Sequence, residues 1–169
     1  MKLHIGGEQV KEGWKILNIQ AKAGVDFIGN ISDLSQFADD SIEAIYASHV
    51  LEHIPQKSIF STLKGIFRVL KKEGKLYISV PDMDVLCRTL LDDERTPAQK
   101  YHVMRIIFGG QVDDFDFHYF GWNTLLLTDA LSQVGFSKLE RLTSFNLFDD
   151  TSNYAPYGVP ISLNMMASK

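Results

Sequence analysis

Apolar and polar positions along the first third of the chain fall into short blocks of strand character. "KLHI" (2–5), "WKILNI" (14–19), "VDFIGNI" (25–31) and "EAIYASHV" (43–50) each read as a strand. The fourth is nearly continuously apolar through Ala47, as expected of a strand covered on both faces. No helix of normal length fits between Gly7 and Trp14, so the first crossover is predicted to be shortened. From Ser58 the period changes: Ile59, Phe60, Leu63, Ile66, Phe67 and Leu70 form one stripe on a helix. Lys71 and Lys72 are expected in its last turn, with Gly74 as the left-handed stop, and the strand "KLYISVP" (75–81) follows. A strand, an amphipathic helix and a strand with short joints make a right-handed parallel crossover.

Helices are predicted for "DVLCRTLLDD" (84–93) and "TPAQKYHVMRIIFGG" (96–110), the latter opened by Thr96 and Pro97 and closed by Gly109. Together they form a helical insert at about 84–122. "NTLLLTDALSQVGF" is a further helix, capped by Asn123 or Thr124 and ended by Gly135. Strands "SKLERLTSF" (137–145) and "ISLNMMA" (161–167) flank a loop rich in Asp, Asn, Pro and Gly. The order implies an α/β fold, a Rossmann-like doubly wound, mostly parallel sheet, in a single domain spanning 1–169.

Composition narrows the partners. Hydrophobic residues at 45% and charged residues at 22% are ordinary globular usage, and no segment reaches the roughly 20 apolar residues of a membrane span. Seventeen basic against 21 acidic side chains, with no basic cluster beyond Lys71-Lys72, give no footprint for nucleic acid. A single cysteine, Cys87, and the lack of a long apolar leader point to a reducing, cytoplasmic setting. A homo-oligomer stays open.

Chemistry concentrates in "YASHVLEHIPQ". Its H-x-x-E-H spacing departs from the zincin pattern, and the residues before His49 read as a strand, so His49 and His53 are not expected to share a helix face. No metal is therefore expected; Glu52 and His53 are read as holding the turn, and Ser48 and His49 as facing a ligand. Gly6-Gly7, Asn18, Asn30 and Ser48-His49 all fall at strand ends on one edge of the sheet, where open α/β folds bind ligands.

These residues carry a family resemblance. "LHIGG", "EGWKILN", "YASHVLEHI", "FRVLKKEGKLYISVPD" and "HYFGWNTLLLTDALSQVGF" resemble the class I S-adenosylmethionine-dependent methyltransferases, in particular the small type-11-like group. The resemblance implies a seven-stranded sheet ordered 3-2-1-4-5-7-6 with the last strand antiparallel. It also implies that S-adenosylmethionine lies over Gly6 and Gly7, with its ribose near Asn18 and Ile19, its adenine near Asn30 and Ile31, and its methionine part near Ser48 and His49. The family's usual acidic residues are Asn18 and Asn30 here, and its third glycine is absent. Two functions follow: methyl transfer to a small-molecule or cell-envelope acceptor, or a non-catalytic binding or assembly module with a degenerate cofactor site. For the enzyme, His118 and then His53 are the candidate proton acceptors, with Tyr119, Asp82 and Trp122 as candidates to shape the acceptor site.

Overall fold

The computed structural model describes all residues, Met1–Lys169. Seven strands, β1 (Lys2–Ile5), β2 (Trp14–Asn18), β3 (Phe27–Ile28), β4 (Ile42–Ser48), β5 (Leu70–Pro81), β6 (Ser137–Leu142) and β7 (Ser162–Ser168), form one sheet. Its order is β3-β2-β1-β4-β5-β7-β6, parallel from β3 through β5, with β7 antiparallel to both β5 and β6. Order and direction agree with those implied by the resemblance. No helix joins β1 to β2, as the spacing predicted.

Strand alternation gives the sheet two unlike faces. Leu3, Ile5, Leu17, Ile45, Ala47, Leu76, Ile78, Val80, Leu163 and Met165 lie in the main core with α1 (Ile59–Val69) and α4 (Thr124–Val134). That core joins 27 buried residues, whereas Trp14, Ala44, Tyr46 and Phe148 make a separate cluster of four. The smaller cluster is closed by Phe145, Leu147 and Phe148 from the β6–β7 connection. An irregular segment thus covers the sheet where the shortened first crossover supplies no helix. The pair α2 (Met83–Leu91) and α3 (Pro97–Phe108) closes a third small cluster of Leu86, Val103 and Ile161.

Several element boundaries differ from expectation. The third strand shrinks from 25–31 to two residues, because only Leu17 and Asn18 of β2 are within register of it. Helix α1 stops at Val69, and Leu70 turns extended to pair with Ile42, so Lys71 and Lys72 lie beyond the helix. The left-handed position falls at Glu73 (φ 63°), not Gly74. Gly74 is needed for close approach instead: a Cβ there would sit 2.7 Å from the Lys71 carbonyl. The ends of α3 follow prediction. Thr96 accepts from the Gln99 amide while the Gln99 side chain accepts from the Thr96 amide, Pro97 opens the first turn, and Gly109 terminates it.

Candidate functional site

The carboxyl ends of β1, β2 and β4 open into one cavity of about 510 Å³, within the range of small-molecule and cofactor sites. Gly6, Asn18, Ile19, Asn30, Ile31, His49 and His53 all line it. Gly7, Ser48 and His118 lie outside its lining.

The turn after β1 is shaped by its glycines. Gly6 has φ 75°, and a Cβ there would lie 2.6 Å from Val50 Cγ2 on the cavity wall. Gly7 faces away, where a Cβ would meet the His4 ring at 2.3 Å. His4 lies in β1. It is buried and packs on Tyr46 and Phe148, but its Nδ1 has no hydrogen-bond partner.

The two asparagines that stand in usually acidic positions are held by local bonds. Asn18 Nδ2 donates to the Gly7 carbonyl at 3.1 Å and Oδ1 accepts from the Gln20 amide at 2.9 Å. Asn30 Oδ1 accepts from the amide and the hydroxyl of Ser32, each at 3.0 Å. A carboxylate at position 18 cannot donate to that carbonyl, so the amide is the residue that closes this turn.

At the other end of the cavity, β4 runs into a tight turn, Leu51–His53. His49 takes a left-handed backbone (φ 53°), its amide donates to the Ser79 carbonyl at 2.9 Å, and its Nε2 lies 2.8 Å from Ser162 Oγ. Burial drives its pKa down to about 4. Glu52 is buried, and neither carboxyl oxygen has a hydrogen-bond partner; His49 Nδ1 is 3.4 Å from Oε1 but outside hydrogen-bonding geometry. Desolvation pushes Glu52 up to about 8, so the side chain is largely a neutral acid at neutral pH.

The segment from Phe117 to Phe120 is laid along this turn by main-chain bonds. The Tyr119 amide donates to the Glu52 carbonyl at 2.8 Å, and His53 Nδ1 lies 3.1 Å from the Phe117 carbonyl. The contact brings the His118 ring to 4.6 Å from that of His53, nearly perpendicular. Burial lowers the pKa of both, His118 to about 4, so both imidazoles are neutral at neutral pH. Glu52, His53 and His118 each offer a ligand-type atom within 4.8 Å of the other two. That convergence is not legible in the sequence, since His118 arrives from a distant segment and Glu52 reads as a turn residue.

Asp113, Asp114, Phe115, Asp116 and Tyr119, from the insert, rim the cavity and give it an acidic edge. Only the run of aspartates in "DDFDF" signals it. Trp122 is buried in the main core, Phe120 packs against that core, and Tyr119 is half exposed. Asp82 is tied into the structure: it accepts from Arg141 Nη2 at 2.7 Å and caps α2 through the Asp84 amide. His102 lies 2.8 Å from the Tyr157 hydroxyl, a partner that its sequence surroundings did not show. No helix is long and apolar enough to cross a membrane.

Residues 5–78 match the family model described as a methyltransferase domain. A search of curated proteins gives no match. Among solved structures, the chain is similar to a SAM-dependent methyltransferase from Archaeoglobus fulgidus: TM-score 0.60, 15% identity, covering 99% of this chain and 85% of that one. It is similar to a methyltransferase from Thermotoga maritima described as a possible histamine N-methyltransferase: TM-score 0.60, 16% identity, 99% and 81% covered. It is also similar to 1,6-didemethyltoxoflavin-N1-methyltransferase from Burkholderia thailandensis, which was solved with S-adenosylhomocysteine: TM-score 0.58, 14% identity, 92% and 60% covered.

Proposed function

We propose that this chain, which carries the type-11 methyltransferase domain on a class I methyltransferase fold, transfers the methyl group of S-adenosylmethionine to a small molecule bearing a basic nitrogen. The observation that carries the reading is the cavity into which the ends of β1, β2 and β4 open together, lined at Gly6, where a Cβ would meet Val50 on its wall.

The residues present fit the cofactor. Gly6 leaves the main chain accessible, Leu17, Ile31 and Ile54 provide apolar wall, and Asn18, Gln20 and Asn30 provide polar groups along one side. Bound there, S-adenosylmethionine supplies a methyl group on a positively charged sulfur. The chain's part is then to align the acceptor and exclude water, since displacement at such a carbon depends chiefly on positioning. His53, with His118 against it, and Tyr119 form the acceptor end, and Asp113, Asp114 and Asp116 give it negative potential. That potential favours a cationic amine over a carboxylate. The two neutral imidazoles are the candidate proton acceptors.

Calorimetry with S-adenosylmethionine and S-adenosylhomocysteine tests cofactor binding. At about 100 times its dissociation constant, a ligand of the native state adds about 2.7 kcal/mol of stability. Release of S-adenosylhomocysteine with a panel of amines, alcohols and carboxylic acids then tests the acceptor class, with turnover expected for amines. The second reading, a non-catalytic module, is favoured by the local bonds that engage Asn18 and Asn30. Absence of any saturable cofactor binding would establish it.

A further inference from the structure

The geometry points to a site for one late divalent transition ion, of which zinc is the type, held by Glu52, His53 and His118 beside the acceptor end of the cavity. The three ligand-type atoms lie within 4.8 Å of one another, a spacing that small side-chain rotations can close around an ion. One carboxylate and two imidazoles are a donor set for zinc and its neighbours in the transition series, and a poor one for magnesium or calcium, which take oxygen.

The second observation is Glu52 itself. Its side chain is 1% exposed, and neither oxygen accepts a hydrogen bond from any protein group. A buried carboxyl without partners is costly, and an ion supplies the partner that the protein does not. The frame around it is fixed by main chain. The Tyr119 and Phe120 amides both donate to the Glu52 carbonyl, the His118 amide donates to the Phe108 carbonyl, and His53 Nδ1 meets the Phe117 carbonyl. A carbonyl only accepts, so Nδ1 of His53 carries the hydrogen and Nε2 keeps a lone pair. Metal-bound imidazoles are commonly oriented through their other nitrogen in this way.

With the ion in place His53 and His118 are its ligands, and the proton-acceptor role proposed for them belongs to the metal-free chain. The ion also fastens the segment bearing Tyr119 to the end of β4. Binding of the ion needs no cofactor, so its test is separate from that of methyl transfer.

The full chain, stripped with a chelator and exchanged into metal-free buffer, is titrated with zinc and with magnesium by calorimetry, and with cobalt by visible absorption. The expected result is one equivalent of zinc bound at least 100-fold more tightly than magnesium, and an intense cobalt spectrum of low coordination number. Glu52→Gln and His118→Ala should each weaken zinc at least tenfold, whereas His102→Ala should leave it unchanged. Zinc binding that is unaltered in both site variants, or no saturable zinc binding by the wild-type chain, overturns the proposal. The wild-type cobalt spectrum keeps the test decisive if a variant fails to fold: a spectrum like that of the hydrated ion also overturns it.

Discussion

The adjacent residues Gly6 and Gly7 are required for different reasons, and the difference can be measured. At Gly6 a side chain would meet Val50 on the cavity wall, in a left-handed conformation that costs other residues about 1–2 kcal/mol. Gly6→Ala is therefore expected to lose S-adenosylmethionine affinity by calorimetry as well as some stability. At Gly7 a side chain would meet His4, on the far side from the cavity. Gly7→Ala is expected to destabilise by about 1–3 kcal/mol through overpacking, read by urea unfolding, while folded protein keeps its cofactor affinity. Equal loss of affinity in both variants would contradict this division. Asn18 follows the same logic. Asn18→Asp, which restores the usual acidic residue, sets a carboxylate against the Gly7 carbonyl now 3.1 Å from Nδ2. It is expected to cost about 1–3 kcal/mol of stability in the same assay. The departure is thus visible in the sequence, while its reason, a bond to the preceding turn, is visible only in the fold.

Among the elements, the largely irregular β6–β7 connection has a large packing role. Phe148 lies 4.0 Å from the His4 ring, 4.8 Å from Tyr46 and 5.3 Å from Trp14, measured between centroids. The Tyr46 hydroxyl donates to Asp150 at 2.9 Å, tying the same connection to β4. Phe148→Ala is expected to cost about 3–5 kcal/mol in denaturant unfolding, the range for a buried aromatic. A cost below about 1 kcal/mol would show that this face needs no cover. The shortened crossover was legible from the gap between Gly7 and Trp14; its replacement was not, because Asp, Asn, Pro and Gly mark 147–160 only as a loop. Helix α3 was legible to its ends because Thr96, Pro97 and Gly109 act locally. The end of α1 was not, because pairing of Leu70 with Ile42 is a contact between distant residues that overrides the local pattern.

Across the whole molecule, the strand ends that form the cavity were legible from their order, since sheet topology brings Gly6, Asn18, Asn30 and His49 together. The grouping of Glu52 with His118 was not, because it depends on how the chain returns after α3. That grouping shapes the pH dependence of stability in metal-free protein with chelator present. His4, His49 and His118 fall to about 4 in the fold from 6.5, and His53 is lowered as well, all chiefly by burial. The unfolded chain therefore binds more protons than the native one between about pH 4 and 6.5, and stability rises with pH there. Glu52 acts with the opposite sign. Its pKa is raised from 4.5 to about 8, so its stabilising protonation is complete below 4.5 and is lost as pH climbs to 8. Four histidines, half protonated in the unfolded chain at pH 6.5, outweigh one glutamate up to about pH 7; above that they are largely neutral in both states and Glu52 sets the slope. Urea unfolding should give a maximum at about pH 7 and a decline towards pH 8. Glu52→Gln cannot ionise, so its profile should level off towards pH 8 with no decline and be steeper on the acid side. A wild-type profile that keeps rising from about pH 7 to 8 would mean that Glu52 ionises near its ordinary value and finds a partner when it does.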